Sequence, residues 1–299
     1  ADPLPRIIIL EGIGFLSIGL NKKEMQVSYD IFDAMKKVII KANLVSKFKS
    51  INNTDIFKME YWPLERAKLN NQNTKKFNGN VAVITGGAGK IGSAIANKFI
   101  NENIEVILLD KNFKNLDVNI KKKCLCIACD LTNNSQINKA LNKILKIFGG
   151  IDILIANSGA AFQGSMLNVK KDILEKSLEV NFYSHHNIVQ KIANIMVSQG
   201  FGGSISLNLS KQSINPGKDF GPYGIAKASS LFSMKQYALE FGKYNIRVNG
   251  INADRIKSGL LTDQFIKERA KARNMSSTEY LNNNFCLLYT SDAADDVEC

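Results

Sequence analysis

From Asn80 onward, short apolar runs alternate with helical segments, and that rhythm restricts the fold more than any other feature of the chain. VAVIT (81–85), IEVILLD (104–110), CLCIACD (124–130), IDILIAN (151–157), GSISLNL (203–209) and IRVNGIN (246–252) read as strands. Strands this apolar on both faces must be covered on both sides, and intervening helices make neighbouring strands parallel. The expected fold class is α/β, a doubly wound parallel sheet of the Rossmann type. A helix is expected from about Lys90 to Asn101, directly after the first strand.

The residues before Asn80 read differently. IIIL (7–10) looks like a short buried strand, followed by the Gly-rich turn EGIGFLSIG. Within 22–46, Met25, Tyr29, Phe32, Met35, Ile39 and Leu44 recur at helical spacing. Residues 70–79 are polar and fit a linker. The expected organisation is a small α/β N-terminal region at 1–69, a linker at 70–79, a Rossmann domain at 80–285 and a non-native tail at 286–299.

Composition excludes several classes. With 45% hydrophobic and 22% charged residues, the chain has enough apolar material for a core and is not a disordered one. The net charge of +12 comes from scattered Lys, and clusters such as Lys121-Lys122-Lys123 lack interleaved aromatics. That pattern reads as solvated surface, with no nucleic-acid partner. No apolar run approaches the roughly 20 residues that span a bilayer, and the N-terminus lacks a basic region with a signal-type core. No membrane partner is expected. Five cysteines are present, and alternation places Cys124 and Cys126 on one face of a strand. No second ligand pair stands at loop spacing, so no metal is expected. Buried free thiols, including Cys129, suit a reducing cytoplasm, which is the expected location.

Two constellations carry chemistry. Thr85-Gly86-Gly87-Ala88-Gly89-Lys90-Ile91-Gly92 lies between a strand and a helix, where glycines let the backbone approach a pyrophosphate and the helix N-terminus offers free N–H groups. Asp110 ends the next strand and can accept hydrogen bonds from ribose hydroxyls. Its charge would repel a 2′-phosphate, which favours NAD over NADP, although Lys111 follows and softens that preference. The second constellation is Tyr223-Gly-Ile-Ala-Lys227, whose ends share one helix face. A lysine ammonium beside a tyrosine is expected to lower the phenol pKa. Ser210 stands thirteen residues before Tyr223, at a strand end, and Asn181 lies mid-helix, where propensity does not favour it.

From about residue 78 to 284 the chain resembles the short-chain dehydrogenase/reductase family. The Gly-rich turn, DILIANSG (152–159), Asn181, Ser210 and the Tyr223/Lys227 pair carry the likeness in order and spacing. The resemblance implies Tyr223 as general acid/base, Lys227 as the tuner of Tyr223 and holder of the nicotinamide ribose, Ser210 as the group orienting the substrate oxygen, and Asn181 as the holder of a relay water. It implies cofactor contacts at Gly86, Gly89, Lys90, Ile91, Gly92, Asp110, Asp130, Leu131, Asn157 and Gly159, besides Tyr223 and Lys227. A small-molecule substrate and a homo-oligomer, dimer or tetramer, follow from the same likeness. There are departures: TGxxGxxG resembles the family's extended branch, ANSG replaces NNAG so that Ala156 stands in place of an Asn, and Ala253 replaces a usual proline. None removes a catalytic group.

The first seventy residues, EGIGFLSIGLNKKE through DIFKMEYWPLERAKL, resemble the end of the class II aldolase region in bifunctional aldolase/short-chain dehydrogenase proteins. That implies a small polyol, hydroxyaldehyde or sugar derivative as substrate. His185 and His186 are the only histidines, and adjacent helix positions point apart, so they read as ordinary helix residues. CLLYTSDAADDVEC matches no family feature, so the chain is expected to be cut at both ends, and the sheet to lack its last edge strand. The region after Asp254, with Lys257, Leu260, Leu261 and Phe265, is expected to form a mobile lid over the substrate. The leading expectation is an NAD(P)-dependent dehydrogenase acting on CH–OH groups. The alternatives are a truncated fragment that binds nucleotide without chemistry, and a nucleic-acid binder driven by charge.

Overall fold

The computed structural model describes residues 5–60, 75–254, 256, 263–271 and 274–284. They divide into two compact units, residues 1–80 with 102–105, and 81–101 with 106–299.

In the first unit, β1 (Ile7–Leu10) and β2 (Gly14–Ser17) form an antiparallel hairpin, with Ile7 opposite Ser17 and Leu10 opposite Gly14. Helix α1 (Lys22–Val45) starts where the Asn21 side chain accepts the Glu24 N–H at 3.0 Å. Phe15 of β2 packs against Tyr29 and Phe32 of α1 at ring-centroid distances of 5.1 and 4.7 Å. The short α2 (Asn53–Glu60) follows. The expectation of a buried strand at 7–10 is corrected here: the strand forms, but Ile9 is 68% exposed. A two-stranded ribbon alternates its side chains, and α1, which buries none of its own residues, covers no more than one face.

The second unit is built on a six-stranded sheet of order β5-β4-β3-β6-β7-β8. Its strands are β3 (Val81–Thr85), β4 (Glu105–Asp110), β5 (Leu125–Ala128), β6 (Ile153–Ala156), β7 (Gly203–Asn208) and β8 (Ile246–Ile251). The pairs β3/β6, β4/β5, β6/β7 and β7/β8 are all parallel. Each strand falls inside the run expected for it. Apolar residues on both faces explain why: Val83, Ile84, Ile107, Leu108, Leu109, Leu154 and Ile205 are all fully buried.

The covering helices are α3 (Lys90–Asn101), α4 (Val118–Lys123), α5 (Asn134–Phe148), α6 (Lys171–Leu178), α7 (Ser184–Gln199) and α8 (Gly221–Phe241). Helix α5 shows the pattern: the Asn133 side chain caps its start, and Ile137, Ala140, Leu141 and Ile144 face the sheet. Helix α7 buries Ile188, Val189, Ile192 and Met196 in the same way. Between α6 and α7 the helix widens into one π turn, Glu179–Tyr183, in which the Ser184 N–H donates to the carbonyl of Glu179. Two short helices, α9 (Asp263–Lys271) and α10 (Ser277–Asn284), pack on each other through Ile266, Ala270 and Tyr280.

The chain leaves β3 toward β4 and β5, then returns to build β6, β7 and β8 on the other side. The reversal opens a crevice beyond the carboxyl ends of β3 and β6, where such sheets place ligands. Among the described residues the sheet ends at β8. The tail 286–299 lies outside the described residues, as do Lys257, Leu260 and Leu261 of the expected lid, whereas Phe265 falls within α9. Among the described residues no helix is long and apolar enough to cross a membrane.

Candidate active site

Strand β3 ends at Thr85, whose hydroxyl accepts the N–H groups of Asn157 at 2.9 Å and Ser158 at 3.1 Å. This ties the end of β3 to the loop after β6. Gly86 then turns with φ of +62°, and a Cβ there would lie 2.8 Å from the Ser158 Cα. No larger residue fits that conformation and that gap together. Helix α3 begins four residues later, so the N–H groups of Lys90 and Ile91 have no intrahelical carbonyl to meet. They and the positive end of the helix dipole face the crevice, a setting suited to an anion.

Asp110, at the end of β4, accepts the Ala88 N–H at 3.0 Å and the Lys111 N–H at 2.7 Å. Its carboxylate is thereby fixed beside the Gly-rich turn. Next to it, Lys111 Nζ pairs with Asp130 at 2.9 Å. Burial pushes the Asp130 pKa up, but hydrogen bonds from Lys111 and from the Thr132 N–H and hydroxyl outweigh it and hold the carboxyl below its usual range. Thus Lys111, expected to soften the repulsion by Asp110, has its charge matched by Asp130.

At the other end, α8 places Tyr223 and Lys227 on one face, both buried. Lys227 Nζ donates to the Asn208 carbonyl at 2.9 Å and lies 5.8 Å from the Tyr223 ring centroid. Burial pulls the Lys227 pKa down to about 8. The Ser210 hydroxyl favours the Tyr223 phenolate, yet burial dominates and raises the phenol pKa above its ordinary value. The expected lowering by Lys227 is therefore corrected. The phenolate loses more hydration at this depth than its neighbours return, and the group that opposes burial is the Ser210 hydroxyl.

A cleft of about 590 Å³ joins the two ends. Gly86, Gly89, Lys90, Ile91, Asp110, Asp130, Leu131, Asn157, Gly159, Tyr223 and Lys227 all line it. Three expected site residues stand elsewhere. Gly92 packs beneath the turn, where a Cβ would strike the Gly86 carbonyl. Ser210 reaches the site through Tyr223. Asn181 is fully buried at the π turn: its oxygen accepts the Ala160 N–H at 3.1 Å, and its amide donates to the carbonyls of Ala160 at 2.9 Å and Ser177 at 3.2 Å. Its side chain positions the loop after β6.

Asn208 was not singled out from the sequence. The Asn208 amide donates to Asn157 Oδ1 at 2.9 Å, and the Asn157 amide donates to the carbonyls of Thr85 at 3.0 Å and Gly86 at 3.3 Å. A hydrogen-bonded line thus runs from the Gly-rich turn to Lys227. An Asn inside the apolar run GSISLNL was the available signal. His185 is fully buried against the Ser158 carbonyl, while His186 bonds the Tyr237 hydroxyl at 2.6 Å. Cys124 and Cys126 are half-buried and Cys129 is buried, and burial raises all three thiols. Among the described residues no group of three or more His, Cys, Asp or Glu could hold a metal ion.

The short chain dehydrogenase family model matches residues 80–269, and the model of the second domain of class II aldolase matches residues 1–69. The uncharacterized oxidoreductase YuxG of Bacillus subtilis is 29% identical over 91% of this chain, which spans 41% of the length of that relative. Short-chain dehydrogenase reductase 3a of Arabidopsis thaliana is 30% identical over 59% of this chain and 70% of its own. Among solved structures, NAD+-bound xylitol dehydrogenase superposes with a TM-score of 0.62 at 26% identity, covering 66% of this chain and 78% of that one.

Proposed function

This chain belongs to the short-chain dehydrogenase family of oxidoreductases, and from that premise we propose that it moves a hydride between NAD and the CH–OH or carbonyl carbon of a small polyol, hydroxyaldehyde or sugar derivative. The observation that carries the reading is one cleft with an anion-binding turn at one end and the Tyr223/Lys227 face at the other.

The residues present fit a dinucleotide. The first turn of α3 would take the pyrophosphate, and Gly86 leaves room for it. Asp110 would accept ribose hydroxyls, and its charge disfavours a 2′-phosphate. Lys227 would hold the second ribose. The nicotinamide ring supplies the hydride chemistry, and the protein supplies orientation and proton transfer.

The proton belongs to Tyr223. The side chain is a neutral phenol near pH 7, as any tyrosine is, and it gives its proton to a carbonyl oxygen in reduction and takes one from a hydroxyl in oxidation. Ser210, whose hydroxyl favours the Tyr223 phenolate, would orient the substrate oxygen beside it. Asn181 holds Ala160, and so the loop that flanks the cleft, in place.

The substrate class rests on two likenesses, the aldolase-type segment at 1–69 and the neighbouring xylitol dehydrogenase fold. Tyr223→Phe is the direct test, scored by NADH absorbance against a panel of polyols, ketoses and aldehydes. Turnover should fall about 10²- to 10⁴-fold, the usual worth of a general acid/base, while NADH still binds. Unchanged turnover would refute the assignment.

A further inference from the structure

Among the described residues, His185 is a fully buried titratable side chain for which the reaction has no use. It lies on α7, 1% exposed, with Nε2 at 2.6 Å from the Ser158 carbonyl and 3.4 Å from the Ser158 hydroxyl. The carbonyl can only accept, so Nε2 carries the proton and Nδ1 is left a bare acceptor. Nδ1 is buried and has no partner among the described residues. Leaving it so has a cost, which suggests that the other nitrogen does something useful.

The bond fixes the orientation of one peptide plane. In a trans peptide the C=O of residue 158 and the N–H of residue 159 point in opposite directions, and no cis peptide bond occurs among the described residues. With the Ser158 carbonyl turned inward to His185, the Gly159 N–H is turned outward. Ser158 and Gly159 both line the cleft, and the Gly159 N–H has no partner among the described residues. The adjacent N–H groups are satisfied, Ser158 by Thr85 and Ala160 by Asn181. A glycine suits position 159, because a Cβ there would lie 2.8 Å from Asn181 Oδ1, which its bond to the Ala160 N–H holds in place. Glycine also makes this peptide the easiest of the loop to flip.

We propose that His185 is a positioning residue that locks the 158–159 peptide so that the Gly159 N–H is presented, beside Lys227, to an acceptor oxygen of the bound dinucleotide. Asn181 and His185, one turn apart across the π turn, grip the two ends of the same three-residue segment. Without His185 the Ser158 carbonyl is free to turn into the cleft, where it faces the acceptor with a like partial charge. The inference rests on the dinucleotide reading of the cleft.

The test uses the full chain with two variants. His185→Gln keeps an N–H donor near the position of Nε2, and His185→Leu removes it at similar volume. NADH titration by fluorescence should show binding weakened about tenfold in His185→Leu, the scale of one hydrogen bond, and recovered to within about threefold in His185→Gln. In turnover, the KM for NADH should rise while kcat stays within about threefold, a split that loss of general stability does not produce. Equal NADH binding by His185→Leu and wild type overturns the proposal, as does a glutamine variant no better than the leucine one. The tautomer can be read in the free protein from ¹⁵N shifts of the imidazole, and a proton on Nδ1 also overturns it. If wild type binds no nicotinamide nucleotide, the dinucleotide reading fails on its own account, and the tautomer spectrum still decides whether His185 holds the peptide.

Discussion

Replacing Lys227 by Met should abolish turnover and yet make the protein more stable at neutral pH. Lys227 is 3% exposed, and burial alone drops its pKa from 10.5 to about 8. A shift of that size corresponds to about 3.4 kcal/mol of unfavourable charge burial, at 1.36 kcal/mol per unit. Methionine removes this penalty but loses the hydrogen bond to the Asn208 carbonyl, worth about 1 to 2 kcal/mol. The expected net gain at pH 7 is about 2 kcal/mol, or roughly 4–8 °C in Tm for a unit of this size. The pH dependence makes the test specific. Between pH 8 and 10.5 the unfolded chain binds the lysine proton and the folded one does not, so wild-type stability rises with pH across that window. The variant has no such rise. The two stabilities should therefore cross near pH 9.5 (about 1.5 units above the folded pKa), because about 2 kcal/mol is recovered by then. Thermal unfolding by circular dichroism at pH 7 and pH 10 measures both values, and the other titrating groups cancel in the difference. A variant less stable than wild type at pH 7, or a gap that ignores pH, would show that Lys227 is not held by desolvation.

Three further outcomes follow from the site. His185, held neutral with a pKa lowered to about 3, chiefly by burial and then by Lys227, binds its proton more weakly folded than unfolded. Stability should fall as pH drops from 6.5 toward 3, by about 5 kcal/mol in total, and His185→Gln should flatten that part of a urea-denaturation series. Asp110→Ala removes an anchored charge and the acceptor of the Ala88 N–H. NADH should bind about tenfold more weakly while NADPH binds no worse, and a variant that keeps full preference for NADH would contradict the role given to Asp110. Thr85→Val strips the acceptor from the Asn157 and Ser158 N–H groups. It should cost about 2–4 kcal/mol of stability, read as the shift in denaturant midpoint multiplied by an unchanged m-value, and a loss under about 1 kcal/mol would mean the β3–β6 junction is held by something else.

The parallel sheet was readable because its strands are apolar on both faces, which leaves few other places for them to go. The Tyr223/Lys227 pair was readable through its spacing, and through Ser210 and Asn181 upstream. What stayed hidden depends on depth and on contacts distant in sequence. The Tyr223 pKa moves up because of burial, which no local pattern reports. Asn181 turns out to hold a loop twenty-one residues earlier in the chain, and His185 one twenty-seven residues earlier. IIIL at 7–10 has the composition of a core strand, but burial requires cover on both faces, and a two-stranded ribbon beside one helix does not provide it. The π turn has no sequence signature of its own, since its formation depends on which side chains must face which neighbours.

That π turn has a consequence for insertions and deletions. An α-helix rotates about 100° per residue, and one π turn accommodates an additional residue without breaking the helix. Helix α6 and helix α7 are therefore phased against each other by a count of residues. The phasing lets Ser177 reach the Pro222 carbonyl at 2.9 Å from one side while His185 reaches Ser158 from the other. Losing a single codon between Glu179 and Tyr183 would let the helix close into ordinary turns and swing one of those contacts away by about a quarter of a revolution. In this stretch the reading frame of the helix is the constrained quantity, and a conservative substitution on its outer face should be tolerated where a one-residue deletion is not.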